Sequence, residues 1–322
     1  MPPIRQRIDI TAIAALLGAI ISWGTIPVML RYLACPTRVP DGFTANLVRY
    51  PIAAIACLPW LVWGIRRGEL RGLWLAALLP SVINTVGQTL FAWAPYFENA
   101  GQLSFLLRIA VVWSILIAFM VFPDERRLAR SRRFWSGAIL AIAGFATLSY
   151  PRLAASGGHT LIGLTIIFTC SLFWAFYGVS VRYVMHKKHP LVLFSLISAY
   201  SSVGLIGMAP LGDPSSVLEL STYDWSILIG SALLGISLAH GLYYVAVQRM
   251  GVAVCELGLL IAPFISLAGS HLITGETFTH VQWLGGGILL IGAALAMASR
   301  RSRQARPPEP EDKLADTSGL TD

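Results

Sequence analysis

Charge is what this chain has least of. Its 322 residues hold 24 Lys and Arg against 16 Asp and Glu, 12% in all, where soluble domains run near a quarter charged. That scarcity excludes a water-soluble globule with a solvated surface. Cysteine is scarce too. Of the four, Cys57, Cys170 and Cys255 sit inside apolar runs and Cys35 stands alone, so no disulfide framework is implied and all four read as packing residues. Catalytic signatures are missing. There is no H-E-x-x-H helix, no G-x-S-x-G elbow and no Walker loop, which leaves metalloprotease, serine-hydrolase and direct ATP-driven chemistry without a bearer. The run His186-Lys187-Lys188-His189 lies in a charged turn, where it reads as topology and not as metal ligation.

Apolar length is what the chain has in abundance. Hydrophobic residues make up 56% of it, gathered into ten blocks at 10–33, 44–65, 72–96, 100–122, 134–151, 160–183, 190–210, 224–247, 251–273 and 281–299. A helix rising 1.5 Å per residue crosses ~30 Å of hydrocarbon in about 20 residues and satisfies its own backbone while doing so. The expected fold class is therefore an all-α integral membrane protein of ten transmembrane helices. The first block is too long for the h-region of a cleaved signal and carries Trp23, Gly24 and Pro27, so it reads as span one. Residues 300–322 are polar and rich in Pro, Glu and Asp, and a disordered cytoplasmic tail is expected there.

The net charge of +8 reflects orientation and implies no nucleic-acid partner. Eighteen basic residues fall on one side of the spans: Arg5, Arg7, Arg66, Arg67, Arg71, Arg126, Arg127, Arg130, Arg132, Arg133, Lys187, Lys188, Arg249, Arg300, Arg301, Arg303, Arg306 and Lys313. The other side has Arg31, Arg38 and Arg152, while Arg49 and Arg108 lie within spans and Arg182 at an inner span end. By the positive-inside rule both termini are expected in the cytoplasm of a cell with a bacterial-type inner membrane.

Sliding the sequence on itself by 151 positions pairs Trp23 with Trp174, Arg31 with Arg182, Tyr32 with Tyr183, Phe43 with Phe194, Pro59 with Pro210, Trp74 with Trp225 and Glu125 with Glu276. After a slip of three residues, Trp135, Gly137 and Gly144 pair with Trp283, Gly285 and Gly292. Ten Trp give roughly a third of one chance Trp pair at a fixed offset, and two occur before the slip. Each repeat holds five spans, an odd number, so the second enters the membrane from the opposite side. Such inverted repeats are a recurring device of secondary transporters, which expose one central site to alternate sides.

These residues also carry a resemblance. The stretch Ile261 to Gly292, with Pro263, Gly275-Glu276, Gln282, Gly285 and Gly292, resembles the second EamA repeat of the drug/metabolite transporter (DMT) superfamily. Leu106 to Gly144, with Glu125, Gly137 and Gly144, resembles the first. Trp23-Gly24 and Trp174-Ala175 also fit the pattern, and the similarity runs from about 10 to 299. The two repeats are expected at 10–151 and 160–299. The resemblance implies alternating access, no bound cofactor, lipid surroundings, and export of a small organic solute such as an amino acid, driven by an ion gradient, protons included, or by the solute's own. Other amphipathic solutes and organic anions stay open, as does a non-transporting receptor or scaffold. Val112 stands where the second repeat has Pro263, which leaves a symmetric hinge without support in the sequence.

Ionisable groups inside a bilayer are costly, so each is a candidate. Arg108 lies ~12 Å below the outer edge of span four, on one face with Gly101 and Ser104. It is either a forked donor to a solute carboxylate or a partner to backbone carbonyls where helices cross. Glu256, on a stripe with Ala253, Leu260 and Pro263, either binds a cation or proton or snorkels inward. Arg49 is expected to reach the outer headgroups along its long stem. His240 and the Gln88-Thr89 pair fall at equivalent repeat positions, facing a cavity or bonding between helices. His271 is expected at the outer interface. Trp23, Trp93, Trp113, Trp174, Tyr177 and Tyr244 lie inside spans, as solute-facing aromatics or as ordinary helix packing. Pro27, Pro51, Pro80, Pro95 and Pro263 are candidate kinks, with Pro27 and Pro263 as hinges. Gly137, Gly144, Gly285, Gly286, Gly287 and Gly292 are expected to let spans five and ten pack closely.

Overall fold

A computed structural model describes residues 9–123, 126, 130–156, 158–184, 189–250 and 252–304. The expectations for Arg5, Arg7, Glu125, Arg127, Lys187, Lys188 and residues 305–322 fall outside them. Among the described residues ten helices are long and apolar enough to span a membrane: α1 Ile10–Leu33, α2 Gly42–Arg66, α3 Leu73–Tyr96, α4 Ala100–Val121, α5 Arg132–Ala155, α6 Thr160–Val184, α7 Pro190–Leu211, α8 Thr222–Met250, α9 Val254–Thr274 and α10 His280–Ala298. Most agree with the apolar blocks within a few residues. Beyond its apolar part the last helix continues to Gln304, into what the composition marks as tail. Large apolar side chains such as Leu79, Val82, Ile139, Val203 and Ile291 point outward and are exposed. Lipid, not water, is the solvent that suits them.

Local chemistry sets the helix ends. Asp9 caps α1 by accepting from the Ala12 amide at 3.0 Å. Asp41 caps α2, accepting from the Thr44 amide at 2.8 Å, and its second oxygen also takes the Asp213 amide at 2.9 Å, which binds the α7–α8 loop to the start of α2. Gly275 ends α9 at φ 67°, a left-handed conformation that a side chain would strain.

The helices pair as a two-fold exchange of halves would require. α5 packs along α10 and α2 along α7. α1 lies against α8 and α9 just as α6 lies against α3 and α4. The α5–α10 contact is the closest, because a Cβ on Gly137, Gly144, Gly285 or Gly292 would overlap the backbone of the opposite helix. Gly286 instead faces Phe105, and a Cβ on Gly287 would meet nothing, so Gly287 takes no part in the close packing expected of it.

Three helices are interrupted midway. α4 runs helical to Leu106, tightens to a 3-10 turn over Leu107–Ile109 and resumes at Ala110. The first half of α9 ends at Leu259 and its second begins at Ala262, with Pro263 in its first turn. The two breaks occupy equivalent repeat positions, although Val112 stands in the place of Pro263. A 3-10 turn relaxes α4 without proline, whereas α9 uses proline. α8 carries a π turn at Leu233–Leu238.

If the glycine seam sets the α5–α10 distance, Gly144→Val should overpack it by at least about 1–3 kcal/mol, and Gly287→Ala should be neutral. Melting of the two purified variants, followed by size-exclusion fluorescence, checks this. Equal melting temperatures would refute it.

Candidate functional site

A cavity of about 1030 Å³ lies among the broken helices. Its wall includes Trp23 and Pro27 of α1, Arg49 of α2, Gln88 of α3, Arg108 of α4, Trp174 and Tyr177 of α6, His240, Tyr243 and Tyr244 of α8, and Glu256 of α9. At one end the lining residues Gly178 and Gln248 are exposed, near Pro190 and Met250. This is the end of the chain's basic loops. Toward the other end lie the buried apolar side chains of Leu30, Ala94, Leu103, Leu106 and Leu267. Charged pairs lie beyond them: Arg31 meets Glu276 at 3.6 Å and donates to the Pro95 carbonyl at 2.6 Å, and Arg152 meets Glu98 at 3.2 Å. Among the described lining residues only Gly178 and Gln248 are exposed, so the opening lies at their end of the cavity.

Arg108 occupies the break in α4. Its Nη1 donates to the carbonyl of Leu259 at 3.4 Å, 151 residues away, so the two equivalent breaks meet. Pro263 has no N–H for the carbonyl four residues back, and that carbonyl is Leu259's. Glu256 lies within coulombic reach of Arg108 and accepts a short hydrogen bond from the Tyr243 hydroxyl.

The aromatics divide. Trp23 donates from Nε1 to the Gly235 carbonyl in the π turn at 2.9 Å and packs edge-on against His240 at 5.1 Å. His240 stacks on Phe194 at 4.3 Å and meets the Ile236 carbonyl through Nδ1 at 2.7 Å. Trp174 packs on Phe91 at 5.0 Å. Trp93 is a correction, because it packs against Phe43 and Tyr96, away from the cavity wall. Trp113 likewise packs on Phe168. Thr89 turns from the cavity toward the Thr85 carbonyl and the Met208 sulfur, leaving Gln88 as the lining member of that pair. Pro95 sits in a 3-10 turn at the end of α3, and His271 is exposed beside Glu276.

Arg49 overturns its expectation. It is 1% exposed and reaches inward, donating to Ser231 Oγ at 3.0 Å and Asn46 Oδ1 at 3.3 Å. Its neutral partners Asn46 and Ser231 are buried, as are Asn84 and Ser201, which bond to each other at 2.9 Å, and all four escaped sequence reading. Their only sequence signal is small polar residues inside spans, which is common in helix packing.

Glu98, in the turn between α3 and α4, is 0% exposed. Burial pushes its carboxyl up to about 7, against the downward pull of Arg152 and then Arg31.

Ten spans around a central cavity, broken where equivalent helices meet, define a polytopic α-helical membrane protein built like a secondary carrier. The chain belongs to the EamA-like transporter family, whose model matches residues 10–150 and 161–298. It is 27% identical over 283 residues to a "Probable terminal-alkyne amino-acid exporter" of Streptantibioticus cattleyicolor, a match covering 83% of this chain and 90% of that one. It is 24% identical over 194 residues to an "Uncharacterized transporter" of Haemophilus influenzae, covering 59% of this chain and 63%, under two thirds, of that protein. A solved crystal structure at 16% identity shares the fold with a TM-score of 0.55, over 90% of this chain and 98% of its own. The chain is thus a multi-pass membrane protein of a transporter family.

The Glu98 carboxyl has a pH consequence. Its folded value, about 7, stands above the ordinary 4.5, so between these the folded state binds more protons than the unfolded one, and stability falls as pH rises through that window. In detergent the melting temperature should drop from pH 5 to pH 8, and Glu98→Gln should flatten the slope. An unchanged slope in that variant would assign the drop to other groups.

Proposed function

We propose that this chain exports amino acids or close relatives from the cytoplasm by alternating access. Its repeats, 10–151 and 160–299, rock about the central cavity, with the breaks beside Arg108 and Pro263 and the proline of α1, Pro27, as hinges. One observation carries the reading: Arg108 and Glu256, of opposite charge, line one cavity within coulombic reach of each other, amid the rings of Trp23, Trp174, Tyr177 and Tyr244. Such a wall suits a zwitterion, its carboxylate on the Arg108 guanidinium, its ammonium toward Glu256 and its side chain against the rings. The exporter of Streptantibioticus cattleyicolor supports the solute class by its name. The direction is supported by the open end, which coincides with the basic loops, the cytoplasmic side under the positive-inside rule. The same rule assigns both termini to the cytoplasm of a bacterial-type inner membrane.

Purified protein in liposomes should show counterflow of labelled amino acids. Arg108→Gln should lower it at least about tenfold in protein that remains folded and monodisperse, and Glu256→Gln should weaken it and shift its pH dependence. Full counterflow by a well-folded Arg108→Gln protein would remove Arg108 from the site.

Orientation has its own test. Cys35 is half-buried, and its hydrogen bond with Thr37 at 3.2 Å holds the thiol below the ordinary range, whereas Cys57, Cys170 and Cys255 are buried. An impermeant maleimide on intact cells should label Cys35 first, and a fluorescent protein fused after Asp322 should glow. Protection of Cys35 together with an active periplasmic phosphatase fused at that terminus would reverse the orientation.

A further inference from the structure

The charge of the cavity wall bears on which amino acids fit. Arg49 is one of the largest fully buried side chains and is among the residues of the cavity wall. It is held by neutral groups only. Ser231 takes Nε, Asn46 takes Nη1, and each is itself fixed: Asn46 donates to the Gln88 carbonyl at 2.9 Å and Ser231 to the Leu228 carbonyl at 2.7 Å. Among the described residues the only ionisable group acting on it is Tyr50, and no carboxylate does. A buried cation without a counter-charge is expensive, and in a medium of low dielectric its potential reaches several ångströms beyond the groups it touches.

Arg108 adds a second positive charge and Glu256 one negative charge. The inner wall therefore carries an excess of one positive charge, apart from Arg182 over the Phe122 ring at the mouth. Gln88 shares the wall with Arg49, and among the described residues its side-chain amide makes no hydrogen bond. It can donate to an acid drawn there by the charge behind it.

We propose that the preferred solute is net anionic, an amino dicarboxylate, with Arg49 as the specificity-determining charge. This rests on the carrier reading above. The α-carboxylate takes Arg108, the ammonium leans to Glu256, and the side-chain acid lies at Gln88 within the field of Arg49. The solute's extra negative charge supplies the counter-ion that the protein withholds from Arg49. Arg49 acts through its charge and not through a forked bond to the solute, so Lys can replace it and Gln cannot.

The test is counterflow in proteoliposomes, under a clamped membrane potential, of labelled glutamate against labelled leucine at equal concentration. Wild type should favour glutamate at least about tenfold. Arg49→Lys should keep that ratio and Arg49→Gln should bring it near one while leucine flux persists. A wild-type ratio at or below one overturns the inference and leaves amino-acid export standing. Absence of flux for both solutes overturns the export reading itself. A high ratio retained in Arg49→Gln removes Arg49 as its source. Should Arg49→Gln fail to fold, the wild-type ratio and Arg49→Lys decide alone, a ratio lost in a folded Arg49→Lys counting against action through charge.

Discussion

A proline without an N–H, in a place where water cannot stand in for it, is the constraint on which the middle of this protein depends. Pro263 leaves the Leu259 carbonyl without its helical donor. Deep in a membrane protein an unmet carbonyl costs several kcal/mol. Arg108, at the equivalent place in the other repeat, donates to it at 3.4 Å. One contact thus meets two needs, a donor for the carbonyl and a partner for a charge that lipid would reject. It also fixes where the halves touch, and the cavity opens beside it.

The two ends of the molecule are held by different forces. Along α5 and α10 the glycines bring backbone against backbone, a seam with no alternative spacing. The end opposite the opening combines buried apolar side chains with the charges of Arg31, Glu276, Arg152 and Glu98. Close packing resists change, while an end held by a few charged pairs can part if water reaches them. At the open end Arg249 meets Asp9 at 3.1 Å on the exposed surface, where solvent screening leaves such a pair worth little.

Neutral hydrogen bonds do much of the positioning inside. Asn84 joins Tyr50 and Ser201, Asn46 spans α2 and α3, and Ser266 of α9 reaches the Gly24 carbonyl of α1 at 2.5 Å. Without a hydrophobic drive between helices in lipid, small side chains and polar contacts of this kind set helix proximity. Asn46, with Ser231, also holds Arg49 in place without neutralising it.

Much of the architecture was legible in the amino acids alone. Apolar runs of about 20 residues have one solution in a bilayer, and the 151-residue offset with five spans per half forces inversion. Arg108, Glu256, His240, Trp23 and Trp174 could be nominated because polar or aromatic groups at mid-span need a reason. Depth along a helix is one-dimensional, however, and says little about the direction a side chain faces. Arg49 has a stem long enough to reach either the headgroups or the core, and only the packing of α2 against α8 turned it to Ser231. Trp93 and Trp174 look alike in sequence, and the neighbours Phe43 and Phe91 separated them. The break in α4 has no proline to announce it, since a 3-10 turn arises from tertiary contact with α9 and not from a residue type. Composition and period determined the spans and their inversion; which polar groups share a wall was decided by helix contacts between residues far apart in the chain.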